Sequence, residues 1–194
     1  MLTDLPNMLT LSRIAAIPLL VVLVAIGSPL ADLLAALLFV AAGITDWLDG
    51  RLARSRRQLS DLGRMLDPIA DKLLVGATLM LLVGFHRLTA YGIYPAIVIM
   101  LREILVSGLR EYLAGIKVGM PVTRLAKWKT ATQMVALGVL LLGDSGAAEL
   151  GIPWLAAGII GGALLWIAGG LTLITGWDYL NAGLRHITQP GAAG

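Results

Sequence analysis

Residues 45–72 read TDWLDGRLARSRRQLSDLGRMLDPIADK, a run of aspartates and arginines inside a chain built mostly of leucine, alanine, valine and isoleucine. The flanking sequence is too apolar for a water-soluble domain: 58% of the 194 residues are hydrophobic, 14% are charged, and the mean hydropathy is +0.85. Apolar stretches long enough for a helix to cross a bilayer recur near residues 8–27, 31–54, 63–85, 92–114, 124–143 and 152–180. The expected fold class is therefore an all-α integral membrane protein of six transmembrane helices. It forms a single domain over residues 1–194, with a short interfacial segment at the N-terminus. The last stretch is longer than a span requires and is expected to tilt or to emerge at one end. No connection could hold a second folded unit, and no repeat of about 20 to 50 residues is visible. No basic residue precedes Arg13 and Asp4 lies in the first few residues, so the first stretch reads as a retained span rather than a cleaved signal. Cysteine is absent, which excludes disulfides and thiolate metal sites.

Short cytoplasmic loops collect Lys and Arg, and this sets the orientation. With the N-terminus inside, the connection over 51–64 holds Arg51, Arg54, Arg56, Arg57 and Arg64, and that over 110–129 holds Arg110, Lys117, Arg124, Lys127 and Lys129. Of the connections on the other side, one has Arg87 and the others have none. Both termini are thus expected on the cytoplasmic face of a cytoplasmic (inner) membrane. The net charge of +3 is expected on the same face, where anionic lipid head groups and phosphorylated metabolites occur. No nucleic-acid partner is expected.

At about 100° of rotation per residue, Asp46, Gly50 and Ala53 share a stripe of the second helix, with Asp49 about 60° to the side. Gly63, Asp67 and Asp71 form a similar stripe on the third. A short loop joins these helices, so they are expected to run antiparallel and adjacent, with the two stripes facing each other. Four ionised carboxylates so placed repel one another and are costly to desolvate unless protons or cations hold them together. An oxygen-only donor set suits a hard cation, Mg²⁺ or Mn²⁺. Pairing with neighbouring arginines at a wet interface is the other reading. It does not explain why glycine and alanine share the carboxylate stripe, where small residues leave room for a ligand.

The pattern Asp46-x-x-Asp49-Gly50-x-x-Ala53-Arg54, eight residues, then Gly63-x-x-x-Asp67-x-x-x-Asp71 resembles, at every fixed position, the signature of the CDP-alcohol phosphotransferase family. The resemblance implies a six-helix membrane enzyme with two divalent ions, Mg²⁺ or Mn²⁺. Such an enzyme moves a phosphatidyl or similar group from a CDP-linked donor to an alcohol and releases CMP. It further implies that Asp46, Asp49, Asp67 and Asp71 are metal ligands, that Asp71 is the catalytic base, that Gly50, Ala53, Arg54 and Gly63 form the CDP site, and that the enzyme is a homodimer. The elementary chemistry agrees: cations bridged by carboxylates offset charge as a phosphoanhydride breaks, and an aspartate accepts the proton of an attacking hydroxyl. Arg54 can also be read as a cytoplasmic anchor.

MLREILVSGLREYLAG (100–115) sets Arg102 and Glu103 well inside the fourth span, where they line a cavity or form an ion pair. RLAKWKTATQM (124–134) opens the fifth with Arg124, Lys127 and Lys129. Arg110, Lys127 and Lys129, with Arg102, suit a dianionic phosphate monoester; anchoring to the cytoplasmic leaflet is the competing reading. Together with PNMLTLSR (6–13) and TGWDYL (175–180), these stretches resemble the phosphatidylglycerophosphate synthase branch of the family's bacterial members. The substrates implied are CDP-diacylglycerol and glycerol 3-phosphate. Asn7, Thr10 and Arg13 either help shape the donor site or cap the first helix at the interface. His86 and His186 lie away from the aspartates and are given no catalytic role. Trp154 and Trp177 read as interfacial residues. Gly158 and Gly162 form a small-xxx-small pattern that serves internal packing or dimerisation. Other acceptors, inositol phosphate or phosphatidylglycerol, would use the same chemistry. A divalent-cation transporter would also carry aspartates in the membrane, though near the midplane of repeated, broken helices.

Overall fold

In the computed structural model the described residues form six α-helices and no strand: α1 Leu5–Ile26, α2 Pro29–Arg56, α3 Asp61–Gly84, α4 Ile93–Gly115, α5 Arg124–Glu149 and α6 Ala157–Thr188. The structure describes residues 5–56, 61–116, 118 and 123–188, with side chains over 7–46, 65–116, 118 and 123–184. Each expected span has its helix. α5 continues beyond residue 143 through a break at Gly143, where φ is +59° and ψ is 178°, a conformation that favours glycine. α6 begins later than expected because residues around Gly151 and Pro153 form turns, and it runs on to Thr188.

By length and composition, α1, α2, α5 and α6 can cross a membrane. α3 and α4 are as long, but Asp67, Asp71 and Lys72 on one and Arg102, Glu103, Arg110 and Glu111 on the other lower their hydropathy. The helices close a ring. α1 packs on α2 and α3, α2 on α5, α5 on α6 and α6 on α4, while α3 meets α4 and α5 only lightly.

The expected direct pairing of α2 with α3 is not what forms. Among the described residues these two helices touch little, and α1 packs against both. The reason lies in the buried stripe of α1, which is polar at Asn7, Thr10 and Arg13 and apolar at Ile17, Leu20 and Val24. Its apolar half joins a core with Phe39, Leu82, Leu137 and Leu140, and its polar half lies level with the aspartates. Outside the core, Leu19, Val22, Leu101, Ile159 and Leu173 are exposed, as a bilayer-facing surface requires.

Glycine sets the approach of α4 to α6. A Cβ at Gly162 would come within 2.6 Å of Thr89 Oγ1, at Gly169 within 2.9 Å of Pro95 Cβ, at Gly176 within 3.0 Å of Arg102 Cγ and at Gly183 within 2.7 Å of Leu109 Cδ2. Seven-residue spacing keeps these glycines on one face, and the paired numbers rise together, so the two helices run parallel. Gly162 thus serves internal packing, whereas a Cβ at Gly158 would meet only Asp144, at 3.7 Å.

The end of the bundle where α1 and α3 finish is tied by Arg87. Its Nη2 lies 2.6 Å from Asp32 Oδ1, and Asp32 Oδ2 accepts a hydrogen bond of 2.7 Å from Ser145. Arg87 also donates to the carbonyls of Leu141, beside the break in α5, and Val24, in the last turn of α1. Carbonyls at such positions have no helical N–H partner and no water within a membrane to replace it.

Candidate active site

At the opposite end of the bundle three of the signature aspartates, Asp46, Asp67 and Asp71, converge on α1. Arg13 is buried to the point that its side chain has 0% exposure, and its Nη1 lies 2.9 Å from Asp46 Oδ1 and 3.1 Å from Asp71 Oδ1. The two carboxylate oxygens can therefore be no farther apart than those two contacts laid end to end. One turn earlier on α1, Thr10 donates a hydrogen bond to Asp67 Oδ1. Asn7, one turn earlier again, is also buried. Arginine pairing at the aspartates is therefore real. Among the described residues it comes from Arg13, on the buried side.

The side chains of Asp46 and Asp71 nevertheless keep 42% and 52% of their exposure, and both line a cavity of about 900 Å³. Each carboxylate is braced from behind by a guanidinium and faces the cavity in front. A buried partner that orients a carboxylate is the usual support of a metal ligand. Among the described residues, no three His, Cys, Asp or Glu groups gather tightly enough to hold an ion by themselves. The donor set instead fits a hard cation such as Mg²⁺, which takes one or two carboxylates and completes its shell with substrate phosphate oxygens and water. The side chain of Asp49 lies outside the described residues, as do those of Gly50, Ala53, Arg54 and Gly63. Their backbones continue α2 beyond Asp46 and precede Asp67 on α3.

Another wall of the cavity carries Arg102 and Arg110, with Glu103 and Glu111, from α4 and Lys127 and Lys129 from α5. All four candidates for the acceptor phosphate thus share one cavity with Asp46 and Asp71. Their states differ. Lys129 is buried and bonded to Glu103 Oε1, and Arg102 Nη1 lies 3.8 Å from the same oxygen. Arg102 also donates to Thr175 Oγ1 at 3.3 Å. The guanidinium carbons of Arg102 and Arg110 lie 5.4 and 5.8 Å from the centre of the Tyr179 ring, within cation–π range. Arg110 and Lys127 are exposed within this wall, whereas Lys129 is engaged with Glu103 instead of standing open as a phosphate contact.

The sequence reading missed two participants. Tyr179 lies in the TGWDYL stretch, but its role as a platform for two guanidinium groups needs α6 to pack beside α4. Gln133 lines the cavity one helical turn beyond Lys129, a spacing that placed it on the same face of α5. His86 is exposed at the other end of the molecule with φ of +53°. The side chain of His186 lies outside the described residues. Trp154 and Trp177 are both exposed.

A family model described as CDP-alcohol phosphatidyltransferase matches residues 3–174. Relatives named CDP-diacylglycerol–glycerol-3-phosphate 3-phosphatidyltransferase occur in several organisms. That of Rickettsia bellii is 48% identical over 92% of this chain and 94% of its own length. That of Cereibacter sphaeroides is 39% identical over 95% of this chain and 97% of its own. The relative in Bacillus subtilis is 37% identical over 92% and 94%.

Proposed function

The chain belongs to the CDP-alcohol phosphatidyltransferase family, and on that premise we propose that it transfers the phosphatidyl group of CDP-diacylglycerol to glycerol 3-phosphate, giving phosphatidylglycerophosphate and CMP. The observation that carries this reading is the meeting of the signature aspartates Asp46 and Asp71 with Arg110 and Lys127 around one cavity. Carboxylates suited to a metal-bound pyrophosphate share it with cations suited to a second, dianionic phosphate.

Asp46, Asp49, Asp67 and Asp71 would hold two Mg²⁺ or Mn²⁺ ions. When bound, these ions supply positive charge against the donor's pyrophosphate. Arg13 and Thr10 fix the directions of the carboxylates from the buried side. Gly50, Ala53, Arg54 and Gly63 form the CDP site, with Asn7 beside it. Arg110 and Lys127 bind the acceptor phosphate, while Arg102 and Lys129, tied through Glu103, set the charge of that wall. The acceptor's primary hydroxyl oxygen bonds to the phosphorus that carries diacylglycerol, its proton passes to Asp71, and the bond from that phosphorus to CMP breaks. All six helices span the membrane in this reading. The charge asymmetry supports a reading with both termini and the aspartate end on the cytoplasmic face of a bacterial inner membrane, and in this reading the working unit is a homodimer.

An acceptor panel tests the reading. Purified protein with labelled CDP-diacylglycerol and Mg²⁺ or Mn²⁺ is expected to release CMP and form phosphatidylglycerophosphate with glycerol 3-phosphate, and to do neither efficiently with glycerol, inositol phosphate or phosphatidylglycerol. Comparable turnover with any of those three would replace the acceptor assignment.

A further inference from the structure

Gln133 has no part in the assignment above, yet its position calls for a ligand. It is 2% exposed, it lines the cavity shared by Asp46 and Asp71, and among the described residues nothing donates a hydrogen bond to its Oε1. A buried amide oxygen without a donor is costly and rare. Ala42, Gly43, Leu74 and Met134, which line the same cavity, carry no side-chain donor. An O–H or N–H presented by an occupant of this part of the cavity would satisfy the Gln133 Oε1.

Resting on the function proposed above, we infer that Gln133 accepts a hydrogen bond from the secondary hydroxyl of glycerol 3-phosphate and selects the acceptor by it. The diacylglycerol part of the donor has no hydroxyl to give. The nucleotide part has several, but it lies too far along the bundle. A Cβ at Gly43 would touch Met134 Cε at 3.1 Å, which sets Gln133 level with Gly43. From Gly43, Asp46 lies about 4.5 Å along α2, whereas Gly50 and Arg54 of the CDP signature lie about 10 and 16 Å along it. Gln133 is therefore close to the level of the reacting carboxylates and remote from the nucleotide. On α5 it stands one helical turn beyond Lys129, in the cavity that Asp71, Arg110 and Lys127 also line. An acceptor held by its phosphate at Arg110 and Lys127, with its primary hydroxyl at Asp71, brings its secondary hydroxyl to the Gln133 amide.

The discriminating probe is 3-hydroxypropyl phosphate, which is glycerol 3-phosphate without the secondary hydroxyl. The unmodified enzyme is expected to favour glycerol 3-phosphate by about 10- to 100-fold in kcat/KM, the range for one hydrogen bond to a buried polar group. Gln133→Met, close in shape but without an acceptor, is expected to lose about that factor on glycerol 3-phosphate. It should leave 3-hydroxypropyl phosphate nearly unchanged and bind CDP-diacylglycerol as before. Equal use of the two acceptors by the unmodified enzyme would overturn the inference without recourse to any variant. So would an equal loss on both acceptors, or weakened donor binding, in Gln133→Met. Transfer to neither compound by the unmodified enzyme, with the donor bound, would overturn the acceptor assignment itself.

Discussion

Arg13 carries its guanidinium into the bundle and sets one nitrogen between two carboxylates that come from different helices. That contact crosses 58 residues between Arg13 and Asp71, which is why it was not legible in the sequence. The aspartates themselves were, because their spacing within two consecutive helices is a local pattern. What turns that pattern into a site is α1, and nothing in the PNMLTLSR stretch alone states which carboxylates it meets. The basic residues were legible as a group but not in their individual roles. Glu103 takes up Lys129 and approaches Arg102, so Arg110 and Lys127 are the cations best placed for a phosphate. Arg110→Gln or Lys127→Gln is expected to raise KM for glycerol 3-phosphate and to lower kcat/KM by about one to two orders of magnitude, with donor affinity held. Steady-state kinetics with each substrate varied in turn checks this. Unchanged acceptor kinetics in both variants would reduce these residues to anchors at the membrane face.

The six helices were readable from apolar length, and their order of packing was not. A short connection between α2 and α3 suggested that they would pair, yet the half-polar stripe of α1 fits both better than they fit each other. The glycines of α6 were likewise read at four-residue spacing, whereas the seam to α4 repeats every seven, at Gly162, Gly169, Gly176 and Gly183. Association of helices in lipid depends on close backbone approach and dispersion rather than on expulsion of water, so a methyl group at this seam costs contact along two helices. It also matters to the site, because Gly176 is seated against Arg102. Neighbouring glycines give a controlled comparison. A Cβ at Gly169 would lie 2.9 Å from Pro95 Cβ, while one at Gly170 would meet nothing within 4 Å. Gly169→Ala is expected to lower the melting temperature in detergent. Gly170→Ala is expected to leave it unchanged or raise it, since alanine favours a helix over glycine by up to about 1 kcal/mol. Thermal melts of the two proteins measure the difference, and equal destabilisation by both would mean that α4 and α6 do not approach through this seam.

The molecule as a whole has two unlike ends joined by an apolar core. One end is closed by the Arg87, Asp32 and Ser145 cluster, which satisfies helix-terminal carbonyls. The other holds the cavity of about 900 Å³, lined by Asp46 and Asp71 and, from α4 and α5, by Arg102, Arg110, Lys127 and Lys129 together with Glu103 and Glu111. This polarity was legible in the sequence, because those positive residues that lie in connections fall almost wholly in alternate ones. The cavity was not, since it depends on α3 meeting α4 and α5 only lightly while α1 holds the aspartates in place. In the proposed function that opening lets the donor's pyrophosphate and the acceptor's phosphate be held side by side within a membrane domain. The most direct test is CMP release from CDP-diacylglycerol and glycerol 3-phosphate by purified Asp46→Asn and Asp71→Asn proteins beside the unmodified chain. Release is expected to fall by about a thousandfold or more in each variant, with helical content and melting retained, because the proposed mechanism assigns both metal binding and proton acceptance to these carboxylates. Retention of more than about a tenth of the unmodified rate by either variant would contradict the assignment of this cavity as the place where phosphatidyl transfer occurs.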